Sequence, residues 1–387
     1  MSALNLYDTA TREVGVFKPL IPGQVSMYVC GATVQSHPHI GHVRSAVNFD
    51  ILRRWLTWTG YDVTFIRNVT DIDDKILHKA VHEKAPWWAV AMKYERIFTQ
   101  AFASLNVLPP TYEPRATGHI TQMIELMEKL IDNGAAYAPG NGDVYLEVRK
   151  LKRYLTLSGQ KLDDLQPAAD ADETYKKDPR DFALWKAAKP GDPSWPTPWG
   201  AGRPGWHLEC SAMAHAYLGE AFDIHGGGLD LVFPHHENEI AQSEAAGYKF
   251  ANRWLHNAWV TQAGEKMSKS KGNLVFVSQL LREGVDAMVI RTALLRHHYR
   301  SDHMWHNSEL EQARLLLDEL RLCLSRPEVA PTDRIIDELI AALSEDLNTP
   351  AALSALQNWM TATNHGESGG DAGELSRAID ALLGIAI

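Results

Sequence analysis

The sequence predicts an α/β protein in which an inserted subdomain interrupts a parallel sheet and an α-helical bundle follows it. A strand, an amphipathic helix and a second strand succeed one another within residues 25–66. This βαβ order indicates parallel pairing of the two strands. After residue 272 the chain becomes a series of helical segments, which indicates the bundle.

The βαβ unit is read from three local patterns. Residues 25–29 are apolar, β-branched and aromatic, as in a short buried strand. From Gly41 onward, apolar side chains recur three and four positions apart, which predicts a helix that ends near Gly60 as its C-cap. Residues 61–66 resume a strand pattern, so the helix lies between two strands of one sheet.

The later elements continue this reading. Helical patterns cover 86–106 and 117–134, and residues 135–200 form an insertion with short strands such as 143–148. The sheet resumes near 221–225. The helical segments after it span 278–283, 285–295, 308–325, 332–343, 350–361 and 373–383.

Composition limits the class of protein. The 387 residues are 45% hydrophobic, which is enough for large cores, and 38 basic against 48 acidic residues give a net charge of −10. That charge argues against a broad basic surface for nucleic acid, although it permits a local basic groove. Without a membrane span or leader pattern, and with three scattered cysteines, we expect a cytoplasmic protein with no membrane partner.

The most informative stretch is the strand-to-helix turn at 30–42. It carries a thiol, three imidazoles and two glycines. Such a turn offers backbone N–H groups and a helix N-terminus to an anion, and its imidazoles can hold charge that builds on a phosphate. It predicts a nucleotide site with a soft metal ligand beside it.

Four residues suggest that metal site, namely Cys30, Cys210, His235 and Glu239. His235 and Glu239 are four apart in a helical context and therefore share a face. With two thiolates they make a tetrahedral zinc set. Spacing alone does not pair such distant cysteines, and each, like Cys323, is otherwise a small buried apolar residue.

Two further loops suit a nucleotide. The glycines at 226–228 let the backbone approach a ligand, and Asp230 can accept a hydrogen bond from a ribose hydroxyl, but an ordinary tight turn is equally consistent. The loop at 264–273 carries Lys266 and Lys269 among small residues. It can close over a triphosphate, and its alternative is a solvated basic loop.

These motifs together resemble the class I aminoacyl-tRNA synthetases, with HIGH at 39–42 and KMSKS at 266–270. Longer strings narrow the resemblance to the cysteinyl-tRNA synthetase family, and these are YVCG at 28–31, NVTDIDDK at 68–75, GWHLEC at 205–210 and FPHHENE at 233–239. The resemblance covers about residues 4–275 and implies the Rossmann-like sheet of that class. It divides the chain into the two halves of a catalytic domain at 1–134 and 201–275, a connective insertion at 135–200, a stem-contact linker at 276–308 and a helical bundle at 309–387.

The resemblance also implies the chemistry. Cysteine and ATP, with Mg²⁺, would give cysteinyl-adenylate and pyrophosphate. Zn²⁺ held by the four residues named above would bind the substrate thiolate and reject serine, whose hydroxyl is a poorer donor. The resemblance implies that His39 and His42 stabilise the adenylate-forming transition state and that Lys266 and Lys269 stabilise the departing pyrophosphate. Thr70 and Trp206 would close the cysteine pocket. Residues that would bind ATP are Gly41, Gly228, Asp230 and Lys269.

The acceptor of the cysteine is a separate question. Several strings of the last third resemble the mycothiol-pathway cysteine ligase, which joins cysteine to the amine of glucosaminyl-inositol, and they lie at 272–278, 297–302, 346–350 and 378–384. The chain also stops directly after the bundle, where the synthetases usually continue. We therefore expect a small-molecule amine acceptor, this amino sugar or a similar metabolite. Charging of tRNA-Cys is the alternative, and Glu239 fits the synthetase pattern better.

Two other classes share this fold. A non-catalytic binding protein would not need the signature lysines and histidines. A nucleotidyltransferase would not need Cys210, His235 and Glu239.

Overall fold

The protein is described by a computed structural model that covers residues 3–168, 170, 173–262, 265–267 and 272–387. Its strands are β1 (Asn5–Asp8), β2 (Glu13–Val16), β3 (Gln24–Val29), β4 (Asp62–Arg67), β5 (Ala136–Tyr137), β6 (Val144–Leu146), β7 (Phe182–Ala187), β8 (Gly202–Pro204), β9 (Ala221–Gly228), β10 (Phe250–Asn257), β11 (Val260–Gln262), β12 (Glu265–Lys266) and β13 (His303–Met304). Its helices are α1 (Ile40–Trp58), α2 (Asp74–Glu83), α3 (Trp87–Ser104), α4 (Ile120–Asp132), α5 (Trp206–Leu218), α6 (Glu237–Ala245), α7 (Val277–Arg282), α8 (Ala287–Leu295), α9 (Asn307–Leu324), α10 (Asp333–Ser344), α11 (Thr349–Asn364) and α12 (Ala372–Leu383).

The central sheet confirms the predicted α/β class. Its four strands are parallel and run in the order β10, β9, β3, β4. Helix α1 connects β3 to β4, as the βαβ unit requires. The carboxyl ends of β3, β4 and β9 therefore lie at one edge of the sheet, where open α/β sheets bind their ligands.

Smaller sheets surround this one. The insertion folds as an antiparallel sheet in the order β5, β6, β7, β8, within which the predicted strand at 143–148 is observed as the shorter β6. Strands β1 and β2 form a hairpin. Strand β11 pairs with β12 on one side and with β13 on the other, next to the loop that carries the signature lysines.

Two helices and one strand of the core, α2, α5 and β10, are absent from the sequence prediction. Helix α5 is buried continuously from His207 to Ala214, so no apolar stripe distinguishes one face from another. Helix α2 begins after Asp73, whose carboxylate accepts a hydrogen bond from the Lys75 N–H at 2.7 Å. None of the helices in the described ranges combines the length and the apolar character needed to cross a membrane.

The helical bundle shares one hydrophobic core with the central sheet. That core extends from Val25 and Met27 in β3 to Leu339 and Leu382 in the bundle. A buried polar contact adds to it, because the Arg291 guanidinium binds both the Asp50 carboxylate of α1 and the carbonyl oxygen of Leu383. The end of α12 is thereby held against the helix that carries the HIGH motif.

Candidate active site

A cavity of about 400 Å³ opens at the carboxyl edge of the central sheet. Cys30 directly follows β3, Asn68 follows β4, and Gly228 ends β9. The predicted site residues that line this cavity are Cys30, His39, Gly41, His42, Trp206, Gly228 and Asp230. Of the four predicted metal ligands only Cys30 lines the cavity, so the metal motif adjoins the space that the nucleotide motif lines.

The four predicted metal ligands converge although they come from different elements. Their ligand atoms all lie within 4.8 Å of one another. The Cys30 and Cys210 sulfurs are 3.7 Å apart, and Glu239 Oε1 lies 3.3 Å from Cys30 Sγ and 3.1 Å from His235 Nε2. Two thiolates at about 2.3 Å from a tetrahedral zinc would be about 3.8 Å apart, so these residues fit zinc.

A second donor set overlaps the first. Cys30, His225, His236 and Glu239 also place their ligand atoms within 4.8 Å of one another. The set that contains both thiolates suits zinc better, because sulfur is a preferred zinc ligand. In that arrangement His225 supports a ligand, since its Nε2 lies 2.8 Å from Glu239 Oε2.

The His235 ring is held by two neighbours that follow one another in α5. Its Nδ1 lies 2.9 Å from His207 Nδ1, and the Trp206 ring stacks on it at 4.1 Å between centroids and 20° between planes. Burial lowers the pKa of His235 well below its usual value and that of His207 to about 4. Both rings are therefore neutral near pH 7, and a proton on His235 Nδ1 leaves its Nε2 lone pair for a metal.

The two thiols are protonated in the absence of a cation. Burial raises the pKa of Cys30 well above its usual value, and its hydrogen bond with Cys210 raises it further. Burial also raises the pKa of Cys210. A metal that binds here must displace both protons, so its affinity should fall as the pH falls.

The HIGH turn caps helix α1 with its own imidazoles. His39 is the N-cap residue, and its Nδ1 accepts a hydrogen bond from the Gly41 N–H at 3.1 Å. His42 Nδ1 accepts from the His39 N–H at 3.2 Å, which places the proton of the neutral His42 ring on Nε2. The positive end of the helix and these rings thus face the cavity, where they suit a phosphate.

Asn68 shapes the turn between β3 and α1, although the sequence analysis gave it no role. Asn68 Oδ1 accepts a hydrogen bond from the Gly31 N–H at 2.8 Å. A Cβ added to Gly31 would lie only 1.7 Å from the main-chain carbonyl oxygen of Asn68. Thr70, predicted to close the cysteine pocket, is 1% exposed and is not among the described residues that line the cavity. Its Oγ1 lies 3.4 Å from Asn68 Nδ2.

The glycine motif and the lysine loop differ in how far they are described. The glycines at 226–228 belong to strand β9 and not to a turn. Glycine is needed at position 226 because a Cβ there would lie 2.2 Å from the Phe49 ring. The Lys266 backbone forms part of β12, whereas its side chain and all of Lys269 lie outside the described residues.

Arg44 is a second residue to which the sequence analysis gave no role. It is fully buried, and its guanidinium donates to four main-chain oxygens, those of Ala258 at 3.0 Å, Trp259 at 2.8 Å, His298 at 2.9 Å and Ser301 at 2.6 Å. The sequence signals this role only in that Arg44 is a basic residue close to the apolar positions Val43 and Val47 of an amphipathic helix.

Comparison with known proteins gives a family match and close relatives. The family model described as the tRNA synthetases class I (C) catalytic domain matches residues 16–315. A cysteine–tRNA ligase of Streptomyces coelicolor is 55% identical over 357 residues, which are 91% of this chain and 58% of that protein. A cysteine–tRNA ligase of Streptomyces griseus subsp. griseus is 52% identical over 385 residues, which are 98% of this chain and 82% of that protein. The chain thus spans less than two thirds of the length of the first of these relatives.

Solved structures share the fold at low sequence identity. A methionyl-tRNA synthetase of Mycobacterium tuberculosis in complex with methionyl-adenylate is 16% identical, with a TM-score of 0.66, over 94% of this chain and 88% of its own. A putative arginyl-tRNA synthetase of Campylobacter jejuni is 14% identical, with a TM-score of 0.58, over 94% of this chain and 91% of its own. Both therefore support the class I architecture.

Proposed function

Because this chain belongs to the class I cysteinyl-tRNA synthetase family, we propose that it activates cysteine with ATP and transfers it to tRNA-Cys. One observation carries the first step: the ligand atoms of Cys30, Cys210, His235 and Glu239 converge, and Cys30 lines the same cavity as the HIGH turn. A soft metal site next to a cavity that holds an anion-binding helix N-terminus suits a thiol-bearing amino acid next to a nucleotide.

The metal site would select the amino acid. Zinc held by the two thiolates, His235 and Glu239 supplies a Lewis acid that a thiolate ligates far better than a hydroxyl does. Trp206, which lines the cavity and stacks on His235, would enclose the substrate side chain. Cysteine would thereby be preferred over serine at the binding step.

The HIGH turn would serve the nucleotide. In the proposed reaction an oxygen of the cysteine carboxylate forms a bond to the α-phosphorus of ATP, and the bond from that phosphorus to pyrophosphate breaks. The Nε2–H of His42 and the N-terminus of α1 would stabilise the negative charge on the phosphate oxygens, and Asp230 would accept from the ribose. The roles of Lys266 and Lys269 in pyrophosphate departure remain predictions.

The relatives favour tRNA over the small amine acceptor expected from the last third of the sequence. Those that span most of this chain carry the name cysteine–tRNA ligase. In the second step, a ribose hydroxyl at the 3′ end of tRNA would form an ester with the cysteinyl carbonyl, and AMP would leave with the electron pair of the broken mixed anhydride.

Two assays test the two steps separately. Cysteine-dependent exchange of pyrophosphate into ATP should proceed, whereas serine at equal concentration should support far less exchange. Transfer is then measured with ATP, cysteine and either tRNA-Cys or glucosaminyl-inositol. Cysteinylation of tRNA alone would support the proposal, and cysteinylation of the amino sugar alone would restore the amine acceptor. Absence of any cysteine-dependent exchange would overturn the proposed activation itself.

A further inference from the structure

A second group of metal-ligating side chains lies outside the cavity described above. It consists of His297, His303 and Glu309, whose ligand atoms all lie within 4.8 Å of one another. We propose that this cluster, the His297 site, binds a divalent transition metal such as zinc. Two histidines and a glutamate are an established zinc donor set, with a fourth position left for water.

The strongest support comes from the His303 ring. The residue is 4% exposed, and among the described residues neither Nδ1 nor Nε2 has a hydrogen-bond partner. Its main chain, by contrast, is paired, because the His303 N–H donates to the Trp259 carbonyl oxygen and β13 lies alongside β11. A buried imidazole with two unpaired nitrogens costs free energy that a bound metal would recover.

Glu309 supplies the negative charge at the His297 site. Its Oε2 lies 3.0 Å from His297 Nε2 and 3.4 Å from Arg296 Nη1. Both of these contacts use Oε2 and neither uses Oε1, and the contact with His297 would be exchanged for bonds from both side chains to the metal. The positive charge of Arg296 repels a metal ion at the His297 site, and we therefore expect weaker binding here than at the site with two thiolates.

Binding at this site requires one side chain to move. The His297 and His303 rings stack at 3.9 Å between centroids with 12° between their planes, so their in-plane lone pairs run parallel and do not meet. The His297 side chain is 32% exposed and can turn about its Cβ–Cγ bond. A bound metal would then connect β13 to the first turn of α9, and through β11 it would steady the hairpin that leads into the lysine loop.

Metal stoichiometry tests the proposal and separates it from the zinc site in the cavity. The protein without a histidine tag is loaded with Zn²⁺, freed of loose metal by gel filtration and measured for zinc per chain. We expect two equivalents for the natural chain. Cys210→Ser should lose the first and keep the second, and Glu309→Gln should lose the second and keep the first. The matched control Glu311→Gln, on the same helix, should retain both.

Cobalt gives an independent readout of which site is filled. A Co²⁺ ion on Cys30 and Cys210 shows a sulfur-to-metal charge-transfer band, whereas one at the His297 site has no sulfur ligand and shows only ligand-field bands. Cys210→Ser loaded with Co²⁺ should therefore keep ligand-field absorption, and His303→Leu in that background should abolish it. One zinc per natural chain, or two in both Glu309→Gln and His303→Leu, would overturn the proposal.

Discussion

The Arg44 guanidinium donates a 2.8 Å hydrogen bond to the main-chain oxygen of Trp259. Arg44 lies in α1 two residues after His42, and Trp259 lines the cavity just before β11. The contact therefore connects the HIGH turn to the hairpin that leads into the signature lysine loop. Two segments that are far apart in sequence, the HIGH turn and the strand that precedes the lysine loop, are thereby held together.

We predict that Arg44→Lys slows activation without weakening the binding of cysteine. A lysine presents a single ammonium group and cannot reproduce the fixed fork that reaches several carbonyl oxygens. A misplacement of about 1 Å can cost roughly a hundredfold in rate, so kcat of pyrophosphate exchange should fall by that order. KM for cysteine should stay unchanged, because none of the hydrogen bonds of the Arg44 side chain involves a metal ligand.

The matched control is Arg53→Lys on the same helix, where the guanidinium donates to the Pro109 carbonyl oxygen near the surface and lies over the Phe65 ring. This control should keep natural kinetics. Equal kcat in the natural and Arg44→Lys proteins, or a fall that merely follows a lower melting temperature, would contradict a positioning role.

A second prediction concerns the zinc ligands. Cys210→Ser should lose the zinc equivalent held by the two thiolates and cysteine-dependent exchange together, because a buried hydroxyl is a poor replacement for a thiolate. Cys323→Ser is the control, since Cys323 lies in the bundle core away from the metal ligands and its sulfur lies near the Met360 carbonyl oxygen and Asn364 Oδ1. Zinc analysis and exchange on both variants check this. Full exchange by Cys210→Ser that has lost this zinc equivalent would show that the metal at the thiolate site is not needed.

The sequence predicted the fold class because its signals are local. The βαβ unit rests on alternating strand and helix patterns within about forty residues, and the parallel sheet confirms it. The pairing of Cys30 with Cys210 across 180 positions has no local signal, and only the resemblance to a family suggested it. Arg44 and Asn68 were missed for a related reason, since their partners are main-chain oxygens and amides that any sequence supplies.

A third prediction separates the two roles of His39. His39→Asn keeps a good N-cap but removes the imidazole, so stability should hold while kcat of exchange falls by about a hundredfold. His39→Ala should lose the same activity and, in addition, about 1 kcal/mol of stability as the cap is lost. Urea unfolding and exchange kinetics on both variants check this. Equal stability of the two variants would contradict the capping role read from the 3.1 Å contact with Gly41.

The last prediction follows from His256, a buried ring behind the metal site. Its Nε2 lies 2.7 Å from His236 Nδ1 and its Nδ1 lies 2.7 Å from Thr9 Oγ1. Burial, reinforced by the neighbouring His225, lowers the pKa of His256 from 6.5 to about 3. Between these values the unfolded chain binds a proton that the folded protein excludes, so acid favours unfolding.

Between about pH 7 and about pH 5 this one residue should cost about 2 kcal/mol of stability, a loss present only below the unfolded pKa. His256→Gln, which keeps an amide to hydrogen-bond in place of the ring, should reduce the pH-dependent loss by that amount. Urea unfolding at the two pH values measures it, with exposed His306→Gln as the control that should leave the loss unchanged. An identical loss in the natural protein and in His256→Gln would mean that His256 is already protonated in the folded state, or that its site opens to solvent in acid.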